Sequence, residues 1–478
     1  MALSRYIKFS WQRFSIFLCI FLLFGCSATN NIAHQSHQSV KYHPNQTIPY
    51  IEEALGSYNW IISTNKPEAQ NFFKQGIQLR WAYNVTESAI SMMEARRVDP
   101  NCAMCYWGEA FALGSFLNGH MTEENSVYAR EAILKASELS AISNNELEKD
   151  LINASIIRYP QDYQFENRRA SDLLFAQEMK ELYEKYPGNH DIATIYAVAL
   201  FILEERRATR SLKDPNIIRL NNILSSVLND DLTHPGACHL YIHLTESTMD
   251  PGLALPCASH LSDTIPIASH IQHMPSHTYN EVGMWGDSVK ANIKAIHSDI
   301  KASRTEGFSY AASHNLHMLL YSASYDGQGA IALRAGKDYT KLTNNSMYEV
   351  STLVRFGKFD EVMKNENRPD DDMGESLWLF SKGYSSLKLG NLSAAQMYAE
   401  EINHIVNTTE MFFRFDSVNA LSSTLYNILI GEIFLSKGNI EESINAFEEA
   451  VSAEDSLDFN EPEALPFSAR HWLGSALY

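Results

Sequence analysis

The chain has 478 residues, 45% of them hydrophobic, with 57 acidic against 38 basic side chains. The resulting charge of −19 argues against nucleic acid or an anionic lipid surface as the main partner, since its long-range field repels both. A chain of this length exceeds what one small core accommodates and calls for a repeated unit or several domains.

The first element in chain order is a leader. Arg5, Lys8 and Arg13 precede an apolar run from Ser15 to Phe24, too short to persist as a membrane-spanning helix. It closes on Leu23-Phe-Gly-Cys26, which resembles the lipobox of bacterial lipoproteins. The resemblance implies that residues 1–25 are removed and that Cys26 is lipidated. With Ser27 following, it further implies an outer-membrane lipoprotein of the cell envelope, held to the membrane by its lipid. The leader contributes three basic residues and no acidic ones, so the remaining chain carries −22. Residues 26–48, rich in Asn, Gln, Ser and His, read as a flexible tether. The folded part is then 49–478.

Cys102, Cys105, Cys238 and Cys257 remain, an even number in an oxidising compartment, so disulfides are expected. Cys238 and Cys257 can join neighbouring helices. The spacing Cys102-x-x-Cys105 leaves a bridge and a pair of metal-facing thiols both open.

Beyond the tether the periodicity is helical almost throughout. From Asn71 to Pro100 the chain shows Phe72, Gly76, Leu79, Ala82-Tyr83, Met92, Ala95 and Asp99-Pro100, and Gly108, Gly383, Gly390, Gly431 and Lys437-Gly-Asn439 restart the same pattern. This resembles the tetratricopeptide repeat, with a small residue where two helices approach and glycine at the turns. The resemblance implies an all-α, TPR-like α-solenoid of about eight to ten helix pairs over residues 50–478. It also implies that the first helix of each pair lines a concave face. The segment from His471 to Tyr478 reads as one further first helix. The stretches His239–Glu246, His270–His277 and Asp99–Ala110 are together similar to a group of bacterial tetratricopeptide proteins with histidine-rich central repeats, a likeness that implies a fold without a reaction.

Those central repeats, at about 232–335, carry the chemistry. Nine of the seventeen histidines lie from His239 to His317. The turns at Gly252, Gly283 and Gly327 set a register in which His239, His243 and Glu246, then His270, His273 and His277, then His314 and His317 point into the groove from three consecutive first helices. Spacings of i,i+3 and i,i+4 stack two imidazoles about 5–6 Å apart on one helix face, as a shared metal ion requires. Pro275, set among three of these histidines, predicts a bend. His234 is expected to cap a helix, and His260 and His297 fall outside the site. Trp107, Glu109 and His120, with Tyr241, Tyr279 and Tyr310, are secondary candidates around it.

Two functions follow. In the first, His239, His243, His270, His273, His277, His314 and His317 bind one or more transition-metal ions, Zn, Cu or Fe by the preference of neutral imidazole. The chain would then be a metal-dependent hydrolase or oxidase, with Glu246 as catalytic base. In the second, the chain is a scaffold whose concave groove takes a protein or peptide partner in envelope assembly.

Overall fold

The computed structural model describes residues 42–205, 209–304 and 306–478. Cys26, its leader and most of the expected tether lie outside them. Among the described residues the chain forms ten consecutive helix pairs and a closing helix. The pairs are Pro67–Trp81 with Val85–Val98, Ala103–Leu113 with Glu123–Ser140, Glu146–Ile156 with Arg168–Lys185, and His190–Phe201 with Pro215–Asp230. Then come Pro235–Thr245 with Leu255–Leu261, a split helix (Ser269–His273 and Pro275–Glu281) with Trp285–Ala302, and Ala312–Tyr325 with Gly329–Thr343. Met347–Arg355 with Phe359–Lys364, Asp372–Lys388 with Leu392–Thr408, and Val418–Ser436 with Ile440–Asp455 complete the series before Arg470–Leu477.

Local chemistry sets many of the helix starts. The side chains of Asn145, Asn189, Asp214, Asp371 and Ser417 each accept a backbone N–H of the first turn. His234 does the same through Nδ1, 3.1 Å from the Ala237 nitrogen, as its position before Pro235 predicts. Close packing explains the recurrent small residue. A Cβ on Gly76 or Gly108 would come within 2.8 and 2.5 Å of Met92, which fills the gap between the first two pairs.

Two irregular segments lie across the repeats. Near the N-terminus the packed chain begins by Tyr42, inside the stretch expected to be tether. Its ring is buried and its hydroxyl meets Glu109, while Arg97 donates to the Pro44 and Gln46 carbonyls. Near the C-terminus, residues 457–469 run along several first helices. There the Tyr348 hydroxyl donates to the Ala464 carbonyl, Arg355 donates to Pro466, and Phe467 packs on Phe380.

The buried apolar side chains form two main clusters. One runs from Tyr42 to Met274 and Tyr310, the other from Val289 to Ala469. The histidine-bearing helices occupy the seam between them.

Candidate metal centre

Three first helices converge at that seam. Pro235–Thr245 carries His239 and His243, with Glu246 on its C-terminal end. The split helix carries His270, His273 and His277, and Ala312–Tyr325 carries His314 and His317. His314 is half-buried and the other seven side chains are at most 3% exposed.

The break at Pro275 sorts the histidines. Met274 keeps helical angles, φ −50° and ψ −37°, but proline has no N–H, and the His277 nitrogen closes a tighter turn onto the Met274 carbonyl at 3.2 Å. Upstream of the break, His270 Nε2 comes within 3.1 Å of His239 Nε2. Around it, His273 Nε2 meets His277 Nε2 at 2.8 Å, and the His314 ring lies 4.6 Å from that of His273. Two triads result, His239/His243/His270 and His273/His277/His314, each with its ligand nitrogens within 4.8 Å of one another.

Hydrogen bonds to the far ring nitrogens decide where the protons sit. His239 Nδ1 lies 2.6 Å from the Trp81 carbonyl oxygen, an acceptor only, so Nδ1 donates. His273 Nδ1 lies 2.7 Å from Asn292 Oδ1, and Asn292 is oriented by its own amide N–H, which donates to the Ser288 carbonyl at 2.9 Å. His243 Nδ1 and His277 Nδ1 donate to the two oxygens of Glu246, at 3.0 and 2.7 Å. Four imidazoles thus carry hydrogen on Nδ1 and present bare Nε2 lone pairs to the seam. At His273 and His277 two such lone pairs face each other, a contact that is repulsive without a cation or proton between them. Anchoring the far nitrogen to a carbonyl or carboxylate is how metal-ligating histidines are held. Two nitrogens on one tetrahedral ion with bonds of about 2.0–2.1 Å stand roughly 3.3 Å apart, a few tenths of an ångström beyond these separations.

Two of the expected site residues lie outside the histidine triads. Glu246, expected as a catalytic base, accepts the Nδ1–H groups of His243 and His277 on its two oxygens, and these three residues form a third group close enough to hold an ion. His317 joins neither triad. Its Nδ1 accepts from the Arg414 guanidinium at 2.7 Å, and its ring stacks on Tyr348 at 3.9 Å. Arg414 sits at the tip of a hairpin, Phe412–Phe413 with Asp416–Ser417, about a hundred residues downstream. Four of the secondary candidates lie away from the triads, whereas the Tyr310 ring is 4.5 Å from that of His270. Trp107 donates to Ser155, Glu109 pairs with Arg96, His120 packs on Phe165 and Tyr241 donates to Asn221. Cys102 is bridged to Cys105 and Cys238 to Cys257, so none of these sulfurs is a free thiolate ligand.

The turns identify the repeat. At Gly283, Gly327, Gly357, Gly390 and Gly438 the backbone has φ of +67° to +84°, and the next N–H bonds the carbonyl five residues back. With the small residues at the helix contacts, that geometry recurs in each of the last five pairs. The fold is a tetratricopeptide-like α-solenoid. No family model matches the chain, and no curated protein matches it. Among solved structures it is similar to the APC/C hetero-tetramer Cut9–Hcn1, at 14% identity over 86% of this chain and 76% of that one, with a TM-score of 0.32. It is also similar to yeast Tom70, at 13% identity over 86% and 89%, TM-score 0.33. A third is the human IFIT1 dimer with m7Gppp-AAAA, at 12% over 84% and 93%, TM-score 0.33. Likeness at this level says nothing of what the present chain binds.

The first turn of this tetratricopeptide-like series has the same geometry without a glycine. In the first pair the glycine position is occupied by Tyr83, with φ +59° and the same Asn84 N–H to Leu79 carbonyl bond. A left-handed conformation costs a residue with a side chain about 1–2 kcal/mol, and such strain concentrates at functional sites. The Tyr83 ring lies 4.3 Å from His239, 5.3 Å from His270 and 6.2 Å from Tyr310, which itself lies 4.5 Å from His270. Sequence reasoning missed Tyr83, although a tyrosine where five later turns carry glycine was the available signal. Tyr83→Gly is expected to keep the helical circular dichroism and to lower stability to urea by roughly 2 kcal/mol, since a lost buried aromatic outweighs relieved strain. Unchanged or raised stability would show that the ring is not packed as described.

Burial first, then neighbouring imidazoles, holds His239, His270, His273 and His314 well below the usual histidine range. The metal-free fold therefore keeps them neutral while the unfolded chain protonates them near pH 6.5. Below that pH the unfolded state binds more protons, so stability falls as pH falls, by up to about 1.4 kcal/mol per pH unit for each group. In chelator, the urea midpoint is expected to drop steeply between pH 7 and pH 5. A flat profile would contradict the burial of these rings.

Proposed function

We propose that this chain is an extracytoplasmic, lipid-anchored solenoid protein that holds two transition-metal ions, one on each histidine triad, as the centre of a metal-dependent hydrolase or oxidase. The opposed Nε2 lone pairs of His273 and His277, with Nδ1 of each fixed as a donor, carry this reading. The donor set fits zinc, copper or iron, all of which accept neutral imidazole. Such ions would supply Lewis acidity to a substrate oxygen or, for copper and iron, redox capacity.

The chain's own groups do the rest. Trp81, Asn292 and Glu246 fix the tautomers and aim the nitrogens. Tyr83 and Tyr310 cover the His239/His270 side and exclude water. The carboxylate of Glu246 sets negative charge one bond behind one ligand of each triad, which couples the two. The anchor at Cys26 rests on the lipobox-like leader, and the two disulfides support an oxidising compartment.

A solenoid of helix pairs also offers surface for a protein partner. Along Tyr348 and Phe380, however, the chain's own segment 457–469 packs on the first helices.

Titration of the chelated, untagged chain with Co²⁺ tests the two-ion reading. The expected result is a visible spectrum that saturates near two equivalents. His239→Ala/His270→Ala and His273→Ala/His314→Ala should each remove about one of them. Saturation at two equivalents in both variants would refute the assignment to triads.

A further inference from the structure

The two triads differ in access. At the first, His239, His243 and His270 are at most 2% exposed. The rings of Tyr83 and Tyr310 lie 5.3 and 4.5 Å from that of His270 and are themselves buried. The left-handed backbone at Tyr83, costly for a residue with a side chain, holds its ring there. Beside His239 the free space, bounded in part by Trp81, Tyr83, Phe111 and Phe116, amounts to about 10 Å³, roughly the room of a single water. At the second triad His314 is half-buried, and His277 lines a recess of about 380 Å³. That volume falls in the range of about 300–1,000 Å³ usual for small-molecule sites. Met318, Tyr321 and Trp285 give the recess an apolar and aromatic wall, with the Trp285 ring stacked on Tyr325 at 4.8 Å. Glu281, Glu461 and Glu463 also line it.

Three imidazoles leave a tetrahedral ion one open coordination position. The packing around the first triad closes such a position to anything larger than water, whereas the recess at the second leaves room for an organic ligand. We propose that the first triad is the closed, structural half of the centre and that the second is where an outside ligand coordinates. That ligand is a small molecule with an oxygen donor on an apolar or aromatic body. The donor lies at the His277 end of the recess and the body lies against Trp285 and Tyr321. Tyr83 and Tyr310 are what keep the same ligand from the first triad. The assignment rests on the metal reading and adds to it which half meets the substrate and what kind of substrate fits.

Titration of the full cobalt-loaded chain with benzohydroxamic acid and acetohydroxamic acid, two oxygen donors that differ in their bodies, tests this. The visible spectrum is the readout, and cobalt content is measured on the same samples. Benzohydroxamic acid is expected to perturb one of the two ions, to saturate near one equivalent per chain, and to bind at least about tenfold more tightly than acetohydroxamic acid. The response should persist in His239→Ala/His270→Ala and vanish in His273→Ala/His314→Ala. Trp285→Ala should weaken benzohydroxamic acid by about tenfold while leaving acetohydroxamic acid and cobalt content unchanged. Trp285→Leu, which keeps apolar bulk, should give a smaller loss in the same direction and serves if the alanine variant misfolds. A response from both ions, or one that survives in His273→Ala/His314→Ala, would overturn the assignment of the open half. Equal affinity for the two acids, or a benzohydroxamic acid affinity untouched in both Trp285 variants, would overturn the recess as the place where the ligand body lies. A chain that holds no cobalt refutes the metal reading itself. A chain that holds two cobalt ions and responds to neither acid refutes the open half alone.

Discussion

Glu246→Gln is expected to weaken metal binding at one triad by about 10–100-fold and to spare the other. In the native chain each carboxylate oxygen accepts one imidazole N–H, from His243 at 3.0 Å and from His277 at 2.7 Å. A carboxamide has one acceptor oxygen and presents N–H groups on its other side. One histidine keeps its donor. The other faces N–H against N–H and must move its proton to Nε2, which removes the lone pair from the ligand set. Loss of one such orienting partner typically weakens a metal site by about 10–100-fold. At limiting metal the variant should therefore hold about one ion per chain, with the weaker site reappearing only at higher concentration. Glu246→Ala removes both acceptors from a fully buried position, and a destabilisation of about 3–5 kcal/mol is expected in urea unfolding of the metal-free chain. Two ions bound with native affinity in Glu246→Gln would show that the carboxylate does not set the tautomers.

The second large effect is that of His243→Ala/His277→Ala. These residues belong to different triads and share Glu246, so the double substitution breaks both sites and leaves a buried carboxylate without either imidazole donor. Metal content should fall from about two to below about 0.2 per chain, and the metal-free fold should lose several kcal/mol. His317→Ala is the matched control. It removes a buried imidazole of similar exposure, but one turned to Arg414, and its metal content should stay native. Loss of an ion in His317→Ala would return that residue to the site.

The repeat architecture was legible because its determinants are local. Glycine at the turns and small residues at the helix contacts recur at fixed offsets, and each reports a backbone requirement that only that residue type meets. The histidine wall was legible for the same reason, since i,i+3 and i,i+4 spacing places side chains on one helix face. What could not be read was the division of labour within the wall. Pro275 announced a bend, but whether the bend would send His270 to one triad and His273 and His277 to another depends on how three helices pack. Glu246 was legible as a carboxylate near histidines, but that its two oxygens would meet His243 on its own helix and His277 on the next depends on how the two helices pack. His317 fits the helical spacing as well as His314 does. It is drawn away by Arg414, whose hairpin has no counterpart in the repeat pattern. At the N-terminus, composition averaged over residues 26–48 concealed the single ring of Tyr42, which packs onto the first repeats.

Elemental analysis of the untagged chain, prepared without chelator, is the most direct measurement of the central claim. The two triads predict about two transition-metal ions per chain, retained through gel filtration. Less than about 0.2 ion per chain, after an attempt to load zinc, copper and iron separately, would contradict the metal centre outright.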